Sequence, residues 1–474
     1  MKKHDANRYS AWWALALVLT CLWACAAIPS GAQWEIRAAC MTSAQYGGFY
    51  SPEDAAGGGL DYSQSDNPIL TLTDIACANA TSTTLTSATG GFTLAMKGNG
   101  LYLSGGTNIT AGWYCIKTYV DPNTVTVDRA ANSGGLDGTG GTVRVGGAVA
   151  AKDATVEAME PGNTAWIKAD ATHTLAGSIA QAKDGTAAAP IIIAGYNATR
   201  GDNPTGDNRP LLSGGTMYKV SMGDYVFINN IRISSQTNIA MSTGIGGKAA
   251  NVQVVQPSAS ASINAFSVGA NGTAINCDAS TASSATAFAF IIGQQGCIIG
   301  CYANNSPTGI TCLFDAEQIL NCTIDTCVTG VSLGGSSADN IVILGCSFYS
   351  GTTGINIPSG CTGIRVVNSV ISSFTTGITA ADSSLGCVLE DYNNIYNCTT
   401  DRTNVPVGAN SYDLDPGFAD AAGGDFRVGV NCKAKGFPGA VPGAAATCIG
   451  YLDTGAVQRI EPTGGGTRAT GGAW

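Results

Sequence analysis

Apolar side chains recur at every second position in short runs along this chain, as in IVILGCSF (341–348) and IRVVNSVI (364–371). A period of two places one set of side chains on one side of an extended strand. No stretch of these runs carries a helix-length 3.6-residue period, so the pattern predicts many short strands separated by turns.

The strands repeat. Aligned on their cysteines, INCDA, IGCYA, LNCTI and LGCSF place Cys277, Cys301, Cys322 and Cys346 in one column, which VNSVI continues with Ser369 and EDYNN with Tyr392. A second column keeps the same phase: Thr308-Gly309-Ile310, Thr329-Gly330-Val331, Thr353-Gly354-Ile355 and Thr376-Gly377-Ile378. A period of 21 to 24 residues is too short for a four-stranded propeller blade and suits one coil of a parallel β-solenoid. Equivalent residues of successive coils then lie ~4.8 Å apart. The cysteines are expected to stack inward as free, polarizable thiols rather than as disulfides. Asn276, Gly300, Asn321, Gly345, Asn368 and Asp391, one residue before the column, suit a bend that needs left-handed backbone, and stacked asparagine amides would bond along the axis. The Thr-Gly pair is read as a second corner.

The coils resemble the right-handed parallel β-helix repeats of the pectin-lyase-like superfamily, over roughly Ala148 to Asp401. EPGNTAWIKADATHTL (160–175) is similar to the first coil of such proteins. LDPGFADAAGGDFRV (414–428) and YLDTGAVQR (451–459) resemble their C-terminal sequences. The part before the solenoid resembles segments of phage tail-fibre-like and environmental bacterial β-helix proteins. The resemblance implies a right-handed parallel β-helix over 148–403. Before it, the short strands of LTLTDIACA, GLYLSGG, GWYCIKTYV, NTVTVDR and GTVRVGG read as a small β domain over 69–147, so the fold class is all-β. A Gly/Ser/Tyr-rich segment (33–68), a closing segment (404–459) and a Gly-rich tail (460–474) complete the division. The superfamily holds lyases, hydrolases, epimerases, tailspikes and adhesins, so the fold does not choose an activity.

The first 32 residues read as an export signal: Lys2, Lys3 and Arg8, an apolar run from Ala11 to Ile28, and a small-x-small site before Gln33. LWAC, ending at Cys25, resembles a lipobox and keeps a lipid-anchored form open. With the signal cleaved, no transmembrane span is expected, and the location is secreted or cell-surface, of bacterial type. Cleavage takes the formal charge from −10 to −12. A surface that acidic repels phosphate backbones, which excludes nucleic acid as a partner. Cys432 and Cys448 lie outside the coil register in a Gly/Pro/Ala-rich stretch. They are the disulfide candidates, and a bridge there would contribute ~3 kcal/mol.

Chemistry is sparse. Between Leu211 and Glu390 there are 12 charged residues in 180, and from Ala249 to Ile364 no Lys or Arg. The resemblance implies that a lyase would need a Lys or Arg base and carboxylates for calcium, and a hydrolase paired carboxylates. The carboxylates of the coils fall in different columns by counting from the Thr-Gly pairs. The best cluster is Asp315, Glu317 and Asp339 with Arg365 one coil on. Asp202 and Asp207, in the turn TRGDNPTGDNRP, are the weak calcium candidates, without the spacing of a dedicated loop. The same turn contains Arg200-Gly201-Asp202, read as a turn rather than as an adhesion ligand. No other cofactor is expected. The leading reading is a secreted, non-catalytic β-helix protein for adhesion or surface structure that takes polysaccharide or a cell-surface glycan. The alternatives are a polysaccharide lyase or epimerase, and a phage-derived tailspike-like module, which would be a homotrimer.

Overall fold

The computed structural model describes residues 28–38, 40, 45–78, 82–133, 135–150, 152–181, 183–236, 239–256, 264–281, 286–334, 338–382, 388–438 and 452–458. The chain forms two compact units: one of residues 1–33 and 43–148, the other of residues 34–42 and 149–474. Residues 34–42, grouped by composition with the Gly/Ser/Tyr-rich segment, thus fold with the solenoid. Most of the proposed signal, residues 1–27, lies outside the described residues. Among the described residues no helix is long and apolar enough to cross a membrane.

The first unit contains a closed antiparallel barrel with strand order Leu70–Cys77, Thr84–Thr86, Thr124–Val127, Gly112–Asp121, Gly100–Ser104 and Gly138–Val145. Ile75, Leu85, Leu101, Tyr114 and Val143 fill its interior.

The second unit is a parallel β-helix with three strand faces. The first face runs from Thr164–Lys168 through Val226–Asn229, Thr273–Ile275, Gln318–Leu320 and Ile364–Val367 to Val388–Asp391. The second includes Arg232–Ser235, Gln253–Gln256, Asp278–Thr281, Tyr302–Asn304 and Thr323–Asp325. The third includes Asn264–Val268, Phe288–Ile292, Thr308–Cys312 and Thr329–Leu333. Strands Ser347–Ile357 and Val370–Ala380 run through from the second face to the third.

Each coil turns at residues in left-handed backbone, which asparagine and glycine adopt most easily. Asn230, Asn251, Asn276, Gly300, Asn321, Gly345, Asn368 and Tyr392 form the first corner, with φ between 51° and 67°. Asn251 Nδ2 donates to Asn230 Oδ1 at 2.7 Å and Asn230 Nδ2 to Asn203 Oδ1 at 3.0 Å, so the amides do relay along the axis there. The second corner is Asn305, Thr326, Ser350 and Ser373, three residues before the threonine of each Thr-Gly pair, and Asn397, three before Thr400. The Thr-Gly pair therefore opens the third-face strand instead of turning the corner. Its glycine is required by close approach: a β-carbon on Gly330 would lie 2.5 Å from the Gly354 carbonyl oxygen.

The inward column is Ile231, Val252, Cys277, Cys301, Cys322, Cys346, Ser369 and Asn393, fixed by the pairings one residue on, such as Thr323↔Ser347 and Val370↔Asn394. The four cysteines are buried free thiols. Cys322 Sγ donates to the Leu320 carbonyl at 3.3 Å and to the Ile298 carbonyl of the preceding coil at 3.7 Å. Burial pushes the Cys277, Cys301 and Cys322 thiols up, which keeps them protonated and inert. The last step of the column is corrected by one residue. Tyr392 occupies the bend (φ 57°) and Asn393 the core, where its Nδ2 replaces a thiol as donor, to the Val366 carbonyl at 2.7 Å.

Both ends of the solenoid core are polar. Near the first coil, buried Glu35 accepts from Arg37 Nε at 2.7 Å, from Arg200 Nε at 2.8 Å and from the Tyr196 hydroxyl. At the last coil Glu390 accepts from Asn393 Nδ2 at 2.9 Å, Arg402 Nη2 at 3.0 Å, Ser411 Oγ at 2.6 Å and the Gly408 amide at 2.6 Å.

Candidate functional site

The residues one place after the core column point outward on the second face. Their pairings put Arg232, Gln253, Asp278 and Tyr302 in a single row across four successive strands. Arg232 Nε donates to Gln253 Oε1 at 3.2 Å, and Arg232 Nη1 lies 3.0 Å from Asp207. Arg209 approaches from the preceding loop. It is held by the Asn251 carbonyl at 2.9 Å, and its Nη2 lies 3.8 Å from Asp278 Oδ2. The Asp278 side chain stays 42 % exposed.

Behind the row, the Tyr302 hydroxyl donates to Asp325 Oδ2 at 2.7 Å. Asp325 is 8 % exposed, and its Oδ1 has no hydrogen-bond partner among the described residues. Burial raises the Asp325 carboxyl against the opposing effect of the Tyr302 hydrogen bond, and burial also raises Asp278 against the pull of Arg209. Tyr302 is pushed well above the ordinary phenol range by burial and by Asp325. One wall of the row comes from the closing segment. A β-carbon on Gly424 would sit 3.8 Å from the Tyr302 hydroxyl, and Phe418, Phe426 and Tyr349 pack edge to face beside it, with centroids 5.2 to 6.1 Å apart.

The residues singled out from sequence are placed elsewhere. Asp315 and Asp339 occupy one position of the third corner, not different columns: the Asp339 amide donates to Asp315 Oδ1 at 3.0 Å, and the Thr362 amide to Asp339 Oδ1 at 2.6 Å. The intervening loops differ in length, which hid the alignment. Both carboxylates brace turns. Glu317 points inward, fully buried, with Oε1 accepting from the Phe314 amide at 2.8 Å, and burial raises its carboxyl to about 7. Arg365 is exposed on the first face, opposite Val342.

Asp202 accepts from the amides of Asn197, Ala198 and Thr199, while Asp207 faces Arg232, so the two do not converge on one point. The Arg200-Gly201-Asp202 tripeptide is committed to its own turn and to Glu35. Among the described residues no group of three His, Cys, Asp or Glu side chains is placed to hold a metal. Cys432 is buried with Asn394 Nδ2 3.1 Å from its sulfur, while Cys448 lies outside the described residues.

Arg209, Asp278, Tyr302 and Asp325 were not singled out from sequence. The cysteine column carried the signal for two of them, since Asp278 and Tyr302 each follow a column residue. Arg209 was invisible because it reaches Asp278 from a loop three coils earlier.

No family model and no curated relative matches the chain. Solved structures that resemble it include the pectate lyase Pel9A, at 14 % identity over 66 % of this chain and 92 % of that one, with a TM-score of 0.46. A mannuronic-acid-specific family 6 polysaccharide lyase from human gut microbiota matches at 11 % identity, over 53 % of this chain and 80 % of that one, with a TM-score of 0.33. The A-module of the Azotobacter vinelandii mannuronan C-5 epimerase AlgE4 matches at 12 % identity over 53 % and 86 %, also at 0.33. On its own ladder of parallel pairings, the second unit is a parallel β-helix.

Proposed function

We propose that this is an exported β-helix protein that binds polysaccharide along the outer row Arg232, Gln253, Asp278 and Tyr302, without cleaving it. The row itself carries this reading. Donors and acceptors alternate along a straight line at the ~4.8 Å spacing of neighbouring strands, a pattern that suits successive hydroxyls of an extended glycan. Asp325 acts from behind as a positioning residue that fixes the Tyr302 hydroxyl.

The electrostatics favour binding over proton abstraction. A tyrosine base needs a lowered pKa, and that of Tyr302 moves upward. Arg209, the nearest buried cation, is engaged with the Asn251 and Gly206 carbonyls.

The test is a glycan array followed by calorimetry on residues 33–474, run beside an absorbance assay for unsaturated uronate products. The expected result is glycan binding weakened at least tenfold by Asp278→Asn and by Tyr302→Phe, with no product formed. Turnover that disappears in Asp278→Asn while the fold persists would replace this reading with the lyase one.

A further inference from the structure

The third face carries a chemistry unlike that of the row on the second. Backbone pairings put Thr308, Thr329, Thr353, Thr376 and Thr400 in one line across five successive strands. Three residues on, the same pairings align Thr311, Ser332, Asn356, Thr379 and Thr403. Between the two lines Ile310, Val331, Ile355 and Ile378 turn into the core, fully buried, which leaves both lines on the outer side of the sheet. Thr353, Thr376 and Thr379 are partly exposed, and Thr400 and Thr403 are exposed. The first line spans four strand spacings, ~19 Å.

Internal bonding does not account for these hydroxyls. None in the first line bonds to another group among the described residues. In the second line Thr311 is only 4 % exposed, and its Oγ1 has no hydrogen-bond partner among the described residues. A buried hydroxyl left unpaired costs free energy, which a partner from outside relieves. Threonine is also stiff at χ1, so each hydroxyl and methyl is held at a fixed repeat before anything binds.

The face lacks the groups that grip a dissolved ligand. Over the five strands the only charged residues are Asp401 and Arg402, both on the last, and Arg402 is engaged with Glu390. Phe288 occupies the first line one strand earlier, and no aromatic residue follows it there. Sugars are held by aromatic faces and planar amides or carboxylates, of which the two lines offer Asn356 alone.

A periodic, uncharged array of hydroxyls and methyls suits a periodic, uncharged partner. The ~4.8 Å spacing of neighbouring strands is close to the repeat of water molecules along one axis of hexagonal ice. Hydroxyls can take lattice positions as donors and acceptors, while the methyls between them exclude mobile water. From this match we propose that the third face binds ice and holds the protein to a growing crystal surface. The glycan-binding row lies on another face, and this proposal does not depend on it.

The test is ice-affinity partition. The purified protein, fluorescently labelled, is offered to a slowly growing ice surface beside an unrelated protein of similar mass. The parent is expected to enter the ice and the control to be excluded. Thr353→Tyr, at the centre of the first line, should cut incorporation at least tenfold with the thermal midpoint unchanged. Thr376→Lys should do the same and serves if the first variant does not fold. Thr273→Tyr, an equally bulky change on the first face, should enter the ice like the parent. Folded Thr353→Tyr and Thr376→Lys proteins that still enter like the parent overturn the proposal. So does a parent that stays out of the ice. Retention on crystalline cellulose, or a dimer that Thr353→Tyr separates, would then identify what the face takes instead.

Discussion

Arg402 Nη2 lies 3.0 Å from Glu390 Oε1, and both side chains stand where earlier coils carry aliphatic residues. Glu390 continues the row of Ile343 and Val366, and Arg402 the row of Val331, Ile355 and Ile378. The core thus ends in a buried ion pair rather than in exposed isoleucine. Removing one partner leaves the other desolvated and uncompensated. Glu390→Ala and Arg402→Ala should each cost ~3–5 kcal/mol in denaturant unfolding. A double replacement, Glu390→Leu with Arg402→Met, should cost less than either single one. Additive losses would show that the pair is not coupled.

The cysteine column makes a second prediction. Cys322→Ala should cost roughly 1–3 kcal/mol, the loss of a small buried group and its cavity. Cys322→Ser should be milder, since Ser369 holds the same position and its hydroxyl donates to the Val367 carbonyl at 3.2 Å. Cys322→Asp should be the most damaging, because a carboxylate there meets only backbone carbonyls and sulfur. Thermal midpoints that do not rank Ser above Ala above Asp would refute the packing role.

Gly354→Ala tests close approach. Its β-carbon would lie 2.5 Å from the Gly377 carbonyl oxygen and 2.8 Å from Ile371 Cγ2, neither of which can retreat without moving a strand. The expected loss exceeds the ~1 kcal/mol typical of point changes. Gly201→Ala, in an exposed turn with nothing within 4 Å of its β-carbon, tests local backbone strain alone and should cost less.

Glu317 sets a pH dependence. Its carboxyl is raised to about 7 in the folded chain, so between about 4.5 and 7 the folded state binds more protons than the unfolded one. Stability from this group therefore falls as pH rises through that window, by on the order of 3 kcal/mol. Glu317→Gln keeps an acceptor for the Phe314 amide and does not titrate. The variant should match the parent near pH 4 and exceed it at pH 8. A parent-minus-variant difference that is flat with pH would contradict the burial argument.

The repeat made the fold legible because a solenoid writes each spatial column into the chain at nearly constant spacing. Cys277 to Ser369 could be aligned by eye, and the first-corner asparagines with them. Alignment failed where loop length varied. Asp315 and Asp339 share a corner that counting from Gly309 and Gly330 could not reveal. The last coil slipped by one residue because Asn393, not Tyr392, carries the amide that replaces the thiol. The candidate row was hidden for a different reason. Tyr302 meets Asp325 diagonally across two strands, and Arg209 arrives from a loop, so neither relation has a fixed sequence offset.

The uniform corners also turn distance along the axis into a count. Tyr302 pairs with Thr323, which pairs with Ser347, then Val370, then Asn394 beside Tyr392, so the outer row and the corner tyrosine of the last coil are separated by four strand spacings, ~19 Å. Residues 322–345 run from one column cysteine to the next corner glycine, and excising them would join Asn321 to Cys346 across an equivalent bend. The rod would shorten by one rung. The distance from Tyr302 to Tyr392 would then fall to three spacings, ~14 Å, so length along this unit is graduated in whole coils.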